Sequence, residues 1–173
     1  MNHEIEVKLK YEDKNAIVTK LHELGAKSEE KYRLDDIYFS QEHTDMSNAH
    51  DLIRIRTKRD KSELTFKGKC ETDDKIWKRV ELSTGVDDAD SLLKIFKYLK
   101  FHEISKNKSI RELWKLGNVE VMFVDFIEPH SLKFIEIEGP SKEKVQKVID
   151  KFGDLVTEVG EESFKKFDET RKG

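Results

Sequence analysis

The sequence predicts an α+β fold dominated by antiparallel sheet, and three observations carry that expectation. Charged and apolar residues alternate with a period of two in segment after segment, as half-buried strands require. Between them lie stretches with apolar residues at helical spacing, each opened by a residue that caps helices. Short turn signals rather than linkers or repeats separate these segments, so the reading is one domain over residues 1–173.

Taken in order, Glu4 to Lys10 reads E-I-E-V-K-L-K, a strict alternation. Asp13 caps a helix running to Leu24, with Ile17, Leu21 and Leu24 on one face and Gly25 as its stop. Tyr32 to Phe39 is a strand, followed by a polar loop to about Ala49. Asp51 to Lys58 alternates again and turns through Arg59-Asp60-Lys61-Ser62 into Glu63 to Lys69. Ile76 to Ser83 is the next strand, and Asp87 or Asp88 then caps a helix carrying Leu92, Ile95, Phe96 and Leu99. A strand around Ile110 to Lys115 meets Val119 to Ile127 across the hairpin turn Gly117-Asn118. Pro129 breaks the chain, Leu132 to Glu138 is the last strand, and Gly139-Pro140 ends it. Helices from Ser141 to about Phe152 and from Glu161 to Asp168 complete a set of about eight strands and a few helices.

Composition removes several function classes. Hydrophobic residues make up 36% and charged residues 40%, enough apolar material for one core with a densely charged remainder. The longest apolar run is Val121 to Val124, too short for a membrane helix. No leader pattern opens the chain and Cys70 is the only cysteine, so a disulfide framework and a thiolate zinc site are excluded and a cytoplasmic home is expected. A net charge of −3 is a poor footprint for nucleic-acid binding. The six histidines lie at scattered positions without metal-ligand spacing. Trp77 and Trp114 read as packing residues.

The informative feature is which residues share a strand face. Alternation puts Glu4, Glu6 and Lys8 on one face, Arg54 and Arg56 on another, and likewise Thr65 with Lys67, Arg79 with Glu81, and Glu136 with Glu138. Taken strand by strand, this is the pattern of solvated outer faces. Two observations favour an enclosed charged face instead. Lysine is the default cation here, 26 against 7 arginines, yet Arg54, Arg56, Arg79 and Arg111 fall at strand-alternating positions, and arginine suits planar recognition of phosphate or carboxylate. Glu-x-Glu also occurs on both the first and the last strand. Two carboxylates about 7 Å apart on one face repel unless solvent or a cation separates them, which suggests a hard divalent metal. With helices covering the apolar faces from outside, about eight strands would close into a barrel around a charged lumen.

In this arrangement the chain resembles the CYTH superfamily, the triphosphate tunnel metalloenzymes. E-I-E-V-K at Glu4, Glu6 and Lys8 resembles the family's Glu-x-Glu-x-Lys strand, D-D-I-Y-F at Asp35 to Phe39 its D-x-Y-F segment, and L-I-R-I-R its L-R-I-R strand. Lys67, Arg79-x-Glu81, Arg111, Asp125 and the Glu136-x-Glu138 pair follow in the family's order, so the match runs from residue 4 to about 167. The departures are Ser40 where members often carry Asp, no glycine in Leu132-Lys133-Phe134, and Phe164 where Tyr is frequent. The resemblance implies a closed antiparallel eight-stranded tunnel that takes a triphosphate with Mg²⁺ or Mn²⁺. It implies Glu4, Glu6, Glu136 and Glu138 as metal ligands, with Asp125 as an additional candidate. Lys8, Arg54, Arg56, Lys67, Arg79 and Arg111 would hold the phosphates, and Lys8, Glu4, Glu6 and Glu138 would carry catalysis.

Two reactions fit such a site, a class IV adenylyl cyclase converting ATP to cyclic AMP and a triphosphatase acting on tripolyphosphate, nucleoside triphosphate or thiamine triphosphate. The layout resembles the cyclase-like group slightly more. A non-catalytic polyphosphate-binding module is the alternative of another class.

Overall fold

The structure is a computed structural model that describes residues 3–41, 49, 51–69, 71–73 and 76–158, apart from the side chains of residues 3, 4, 71–73, 76–79 and 158. In chain order the elements are β1 (His3–Tyr11), α1 (Lys14–Glu23), β2 (Lys27–Ser40), β3 (Leu52–Lys58), β4 (Lys61–Lys67), β5 (Glu71–Asp73) and β6 (Ile76–Val86), followed by α2 (Ala89–Tyr98), β7 (His102–Leu116), β8 (Val119–Glu128), β9 (Leu132–Glu138), α3 (Lys142–Phe152) and β10 (Val156–Glu158).

The helices start where cap chemistry says they should. The Asp13 carboxylate accepts from the Asn15 and Ala16 amides at 2.8 and 3.3 Å, Asp88 accepts from Ser91 N–H at 2.9 Å, and Ser141 Oγ accepts from Lys144 N–H at 3.3 Å. The β7–β8 hairpin turns at Gly117-Asn118, where Gly117 takes a φ of +63° that a side chain would resist.

All strands belong to one antiparallel sheet in the order β10-β1-β9-β8-β7-β2-β3-β4-β6-β5. β1 also pairs with β6 from His3 to Glu6, on the edge whose other half pairs with β10 from Leu9 to Tyr11. The α+β class therefore holds, with ten strands among the described residues where about eight are predicted. The two extra strands, β5 and β10, are three residues each, too short for any alternation to show in sequence. A closed eight-stranded barrel is a further step than this order, and it depends on the four-residue seam between β1 and β6. The helix expected at Glu161 to Asp168 lies outside the described residues.

Helices cover the apolar side in two patches. α1 and α3 pack Ile17, Leu21, Val145, Val148 and Phe152 against Val7, Leu9, Val121, Phe123, Ile135 and Ile137 of β1, β8 and β9. α2 places Phe96 against Phe39 and Ile55, flanked by Ile37, Ile53 and Leu64 of β2, β3 and β4. Ile95 and Leu99, expected on the same buried face as Phe96, are 50% and 60% exposed, because α2 meets the sheet through Leu92, Leu93 and Phe96, a stripe that leaves Ile95 and the C-cap Leu99 on its flank.

Candidate active site

Strand alternation leaves the opposite face of the sheet to the charged residues, and this face is also withdrawn from solvent. Register fixes the neighbours. Glu6 stands opposite Glu138 and Lys8 opposite Glu136 across β1–β9, Arg56 opposite Asp36 and Arg54 opposite Tyr38 across β2–β3, and Lys67 opposite Glu81 across β4–β6. On β7 the same face carries Ser105, Asn107, Ser109 and Arg111, all buried.

The face is concave. A flat sheet would hold β9 and β3, four strand steps apart, about 19 Å from each other. Yet the charges of Arg56 on β3 and Lys67 on β4 reach Glu136 on β9 together with those of Arg111 and Lys8. Burial alone would raise the Glu136 carboxyl pKa, and these four cations more than offset it, holding the pKa at about 2. Glu136 is thus an anion at any working pH.

Each described cation of the cluster has an acidic partner. Arg111 donates to Glu136 at 2.7 Å, and Lys8 lies between Glu6 and Glu136, 3.5 Å from the latter. Lys67 pairs with Glu81, while Arg54 donates to Thr65 at 3.2 Å and lies 3.7 Å from Glu63. Arg56 makes a fork to Asp36, with Nε to Oδ1 at 2.7 Å and Nη2 to Oδ2 at 2.8 Å. Burial opposes the charge on both members of that last pair. Their mutual attraction wins, so Asp36 titrates below the ordinary carboxylate range and Arg56 above its usual value. Among the described residues four buried side-chain atoms lack a hydrogen-bond partner, namely Arg54 Nε, Arg111 Nε, Ser109 Oγ and Asn107 Oδ1, and all four lie on this face.

The expected site residues thus fall into three groups. Glu6, Lys8, Arg54, Arg56, Lys67, Arg111 and Glu136 come together, and Glu138 stands exposed at the edge of the group. Glu4 and Arg79 are partners across the β1–β6 register, on the same face by alternation, and their side chains lie outside the described ones. Asp125 is not brought to the cluster. Alternation along β8 puts it with Val121 and Phe123 on the helix-covered side, where it lies 3.5 Å from Lys133. Three further groups belong to the face without having been singled out as site residues: Asp36, the Ser105-x-Asn107-x-Ser109 row and Glu120, which stands opposite Glu138. The S-x-N-x-S-x-R alternation ending at Arg111 was the available signal for the row.

For a hard divalent cation, the donor chemistry fits. Glu6 and Glu136 already flank one cation, the Lys8 ammonium, and both are oxygen ligands. No three acids or histidines converge as a finished metal cage among the described residues.

A family model described as the CYTH domain matches residues 2–170. The chain belongs to the CYTH family. A relative from Methanocaldococcus jannaschii, named "Putative adenylate cyclase MJ0240", is 35% identical over 136 residues, covering 78% of this chain and 75% of its own. Among solved structures, the PH1819 protein of Pyrococcus horikoshii matches this CYTH chain at a TM-score of 0.72 and 26% identity, over 92% of this chain and 97% of that one. A Hippeastrum protein described as a "putative adenylyl cyclase" with a dominant triphosphatase activity shares the fold at a TM-score of 0.72 and 16% identity, over 97% and 96% of the two chains.

Proposed function

We propose that this CYTH chain is a cytoplasmic, Mg²⁺- or Mn²⁺-dependent enzyme acting on triphosphates, a single domain over residues 1–173 whose sheet closes through the β1–β6 seam into a charged tunnel. No helix among the described residues is long and apolar enough to cross a membrane. The observation that carries the proposal is the set of partnerless buried atoms. Three of the four, Arg54 Nε, Arg111 Nε and Ser109 Oγ, can donate a hydrogen bond, and donors left unmet inside a cationic concavity match an anion rich in acceptor oxygens.

In this reading Glu4, Glu6, Glu136 and Glu138 hold the metal. Lys8, Arg54, Arg56, Lys67, Arg79 and Arg111 hold the phosphates, and Asp125 has no part. Bound metal supplies charge neutralisation on phosphoryl oxygens and activation of a nucleophile. The protein supplies position and field. Arg111 and Lys8 both lie against Glu136, and with that carboxylate committed to a metal they would be free to face the phosphate chain and stabilise charge on the leaving group. Lys8, which lies between Glu6 and Glu136, would carry catalysis together with Glu4, Glu6 and Glu138.

In a cyclase the ribose 3′ oxygen bonds to the α-phosphorus as the α–β anhydride breaks and pyrophosphate leaves. The name of the M. jannaschii relative supports this reading slightly. In a triphosphatase, water attacks a terminal phosphorus instead, and the description of the Hippeastrum protein supports that second reading. Incubation with ATP, tripolyphosphate and thiamine triphosphate in Mg²⁺ or Mn²⁺, followed by separation of products, tests both. Cyclic AMP with pyrophosphate marks the cyclase and orthophosphate the triphosphatase. Tight binding without product marks a phospholigand-binding module, and neither binding nor product from any of the three overturns the proposal.

A further inference from the structure

The acids that partner the cations of this face differ in whether a ligand can reach them. Glu6 and Glu136 are the carboxylates that metal would claim, Glu63 keeps nearly half of its side chain in solvent, and Glu81, the partner of Lys67, keeps 17%. Asp36 is different: it is 1% exposed, and both of its oxygens are engaged by one guanidinium. A cation that retains waters has no room to reach it, and a phosphate chain would be repelled by it. Asp36 also feels the charges of Arg54 and Arg111, but both of its oxygens are held by Arg56, so this pair keeps its partner when metal and triphosphate rearrange the others.

The fork uses Nε and one Nη2 hydrogen of Arg56, which leaves both Nη1 hydrogens and the second Nη2 hydrogen uncommitted to Asp36. Two parallel hydrogen bonds fix the plane of a guanidinium, as a single contact to an ammonium does not. We propose that Asp36 is the positioning residue of this site, holding the Arg56 guanidinium edge-on to the bound triphosphate while the remaining cations change partners. The inference rests on the triphosphate reading and adds a role for an acid that touches neither metal nor substrate.

Charge and position predict opposite signs for Asp36→Asn, and that makes the test sharp. Asparagine removes a negative charge from an anion site, so by field alone tripolyphosphate should bind more tightly. Asparagine also offers one acceptor where Arg56 needs two, so by position binding should weaken. Calorimetric titration of tripolyphosphate into the full chain in Mg²⁺ measures the difference. We expect Asp36→Asn to bind roughly 10-fold more weakly and to lower kcat/KM by about 10- to 100-fold. In an Arg56→Gln background the same substitution should weaken binding no further, since its effect passes through Arg56. Asp36→Glu keeps the charge but shifts the fork by one methylene. It should weaken binding as well, and it serves if Asp36→Asn does not fold. Unchanged or tighter binding in both Asp36 variants, or equal weakening with and without Arg56, overturns the inference. No heat from the wild-type protein would instead overturn the triphosphate reading beneath it.

Discussion

Glu136 receives a hydrogen bond from Arg111 at 2.7 Å, has Lys8 at 3.5 Å, and feels Arg56 and Lys67 beyond them. Sequence reasoning treats the Glu-x-Glu pairs as mutually repelling and expects relief when one is neutralised. The structure reverses that expectation, because the local surplus around Glu136 is positive. Glu136→Gln should therefore destabilise the metal-free protein, by roughly 3 kcal/mol at pH 7, the lower end for a broken buried pair because the amide oxygen still accepts from Arg111. The pH dependence has a definite sign. A carboxyl lowered from its ordinary 4.5 to about 2 contributes stability above 4.5 and loses it as pH falls toward 2. Denaturant melts at pH 7 and pH 3 should show the gap between wild type and variant narrowing at the lower pH, whereas a gap independent of pH would remove Glu136 from the cation cluster. Most of the clustered residues were legible because alternation assigns each charge to a face. Asp36 was not: Asp35-Asp36 offers one acid to either face, and only the long-range pairing with β3 tells which one meets Arg56.

At the scale of elements, helix caps and strand cores were readable and strand lengths were not. β2 begins at Lys27 and β7 at His102, well before the alternation is clear, because their early residues are mostly polar on both faces and resemble loops. α2 shows where periodicity misleads. Phe96 stacks on Phe101 with ring centroids 4.9 Å apart and meets Phe39 edge-on at 5.2 Å, while Ile95 and Tyr98 face solvent. Phe96→Ala should cost about 3–5 kcal/mol in thermal or denaturant unfolding, as large-to-small changes in a packed core do. Ile95→Lys should stay within about 0.5 kcal/mol of wild type. Equal costs for the two would mean that α2 is rotated about its axis relative to the sheet.

For the molecule as a whole, two sides of one sheet do different work. Helices seal the apolar side, and curvature gathers the charged side so that strands four steps apart in the sheet share one electrostatic environment. The sequence pattern announced both faces. It could not announce the curvature, which depends on long-range pairing such as the four-residue contact of β1 with β6. The most direct test of the claim that this concavity handles triphosphates is a comparison of kcat/KM for ATP and tripolyphosphate among wild type, Arg56→Lys and Lys133→Ala. Lys58 is a poorer control, since it shares the face of Arg56 and its ammonium is held by Glu30 and sits 3.7 Å from the Tyr32 ring. Lys133 lies on the opposite face, beside Asp125. Arg56→Lys keeps the charge and loses the fork, so kcat/KM should fall about 10- to 150-fold, the worth of a charge-assisted hydrogen bond of about 1.5–3 kcal/mol. Lys133→Ala should leave it unchanged, and equally small effects from both substitutions would contradict the account.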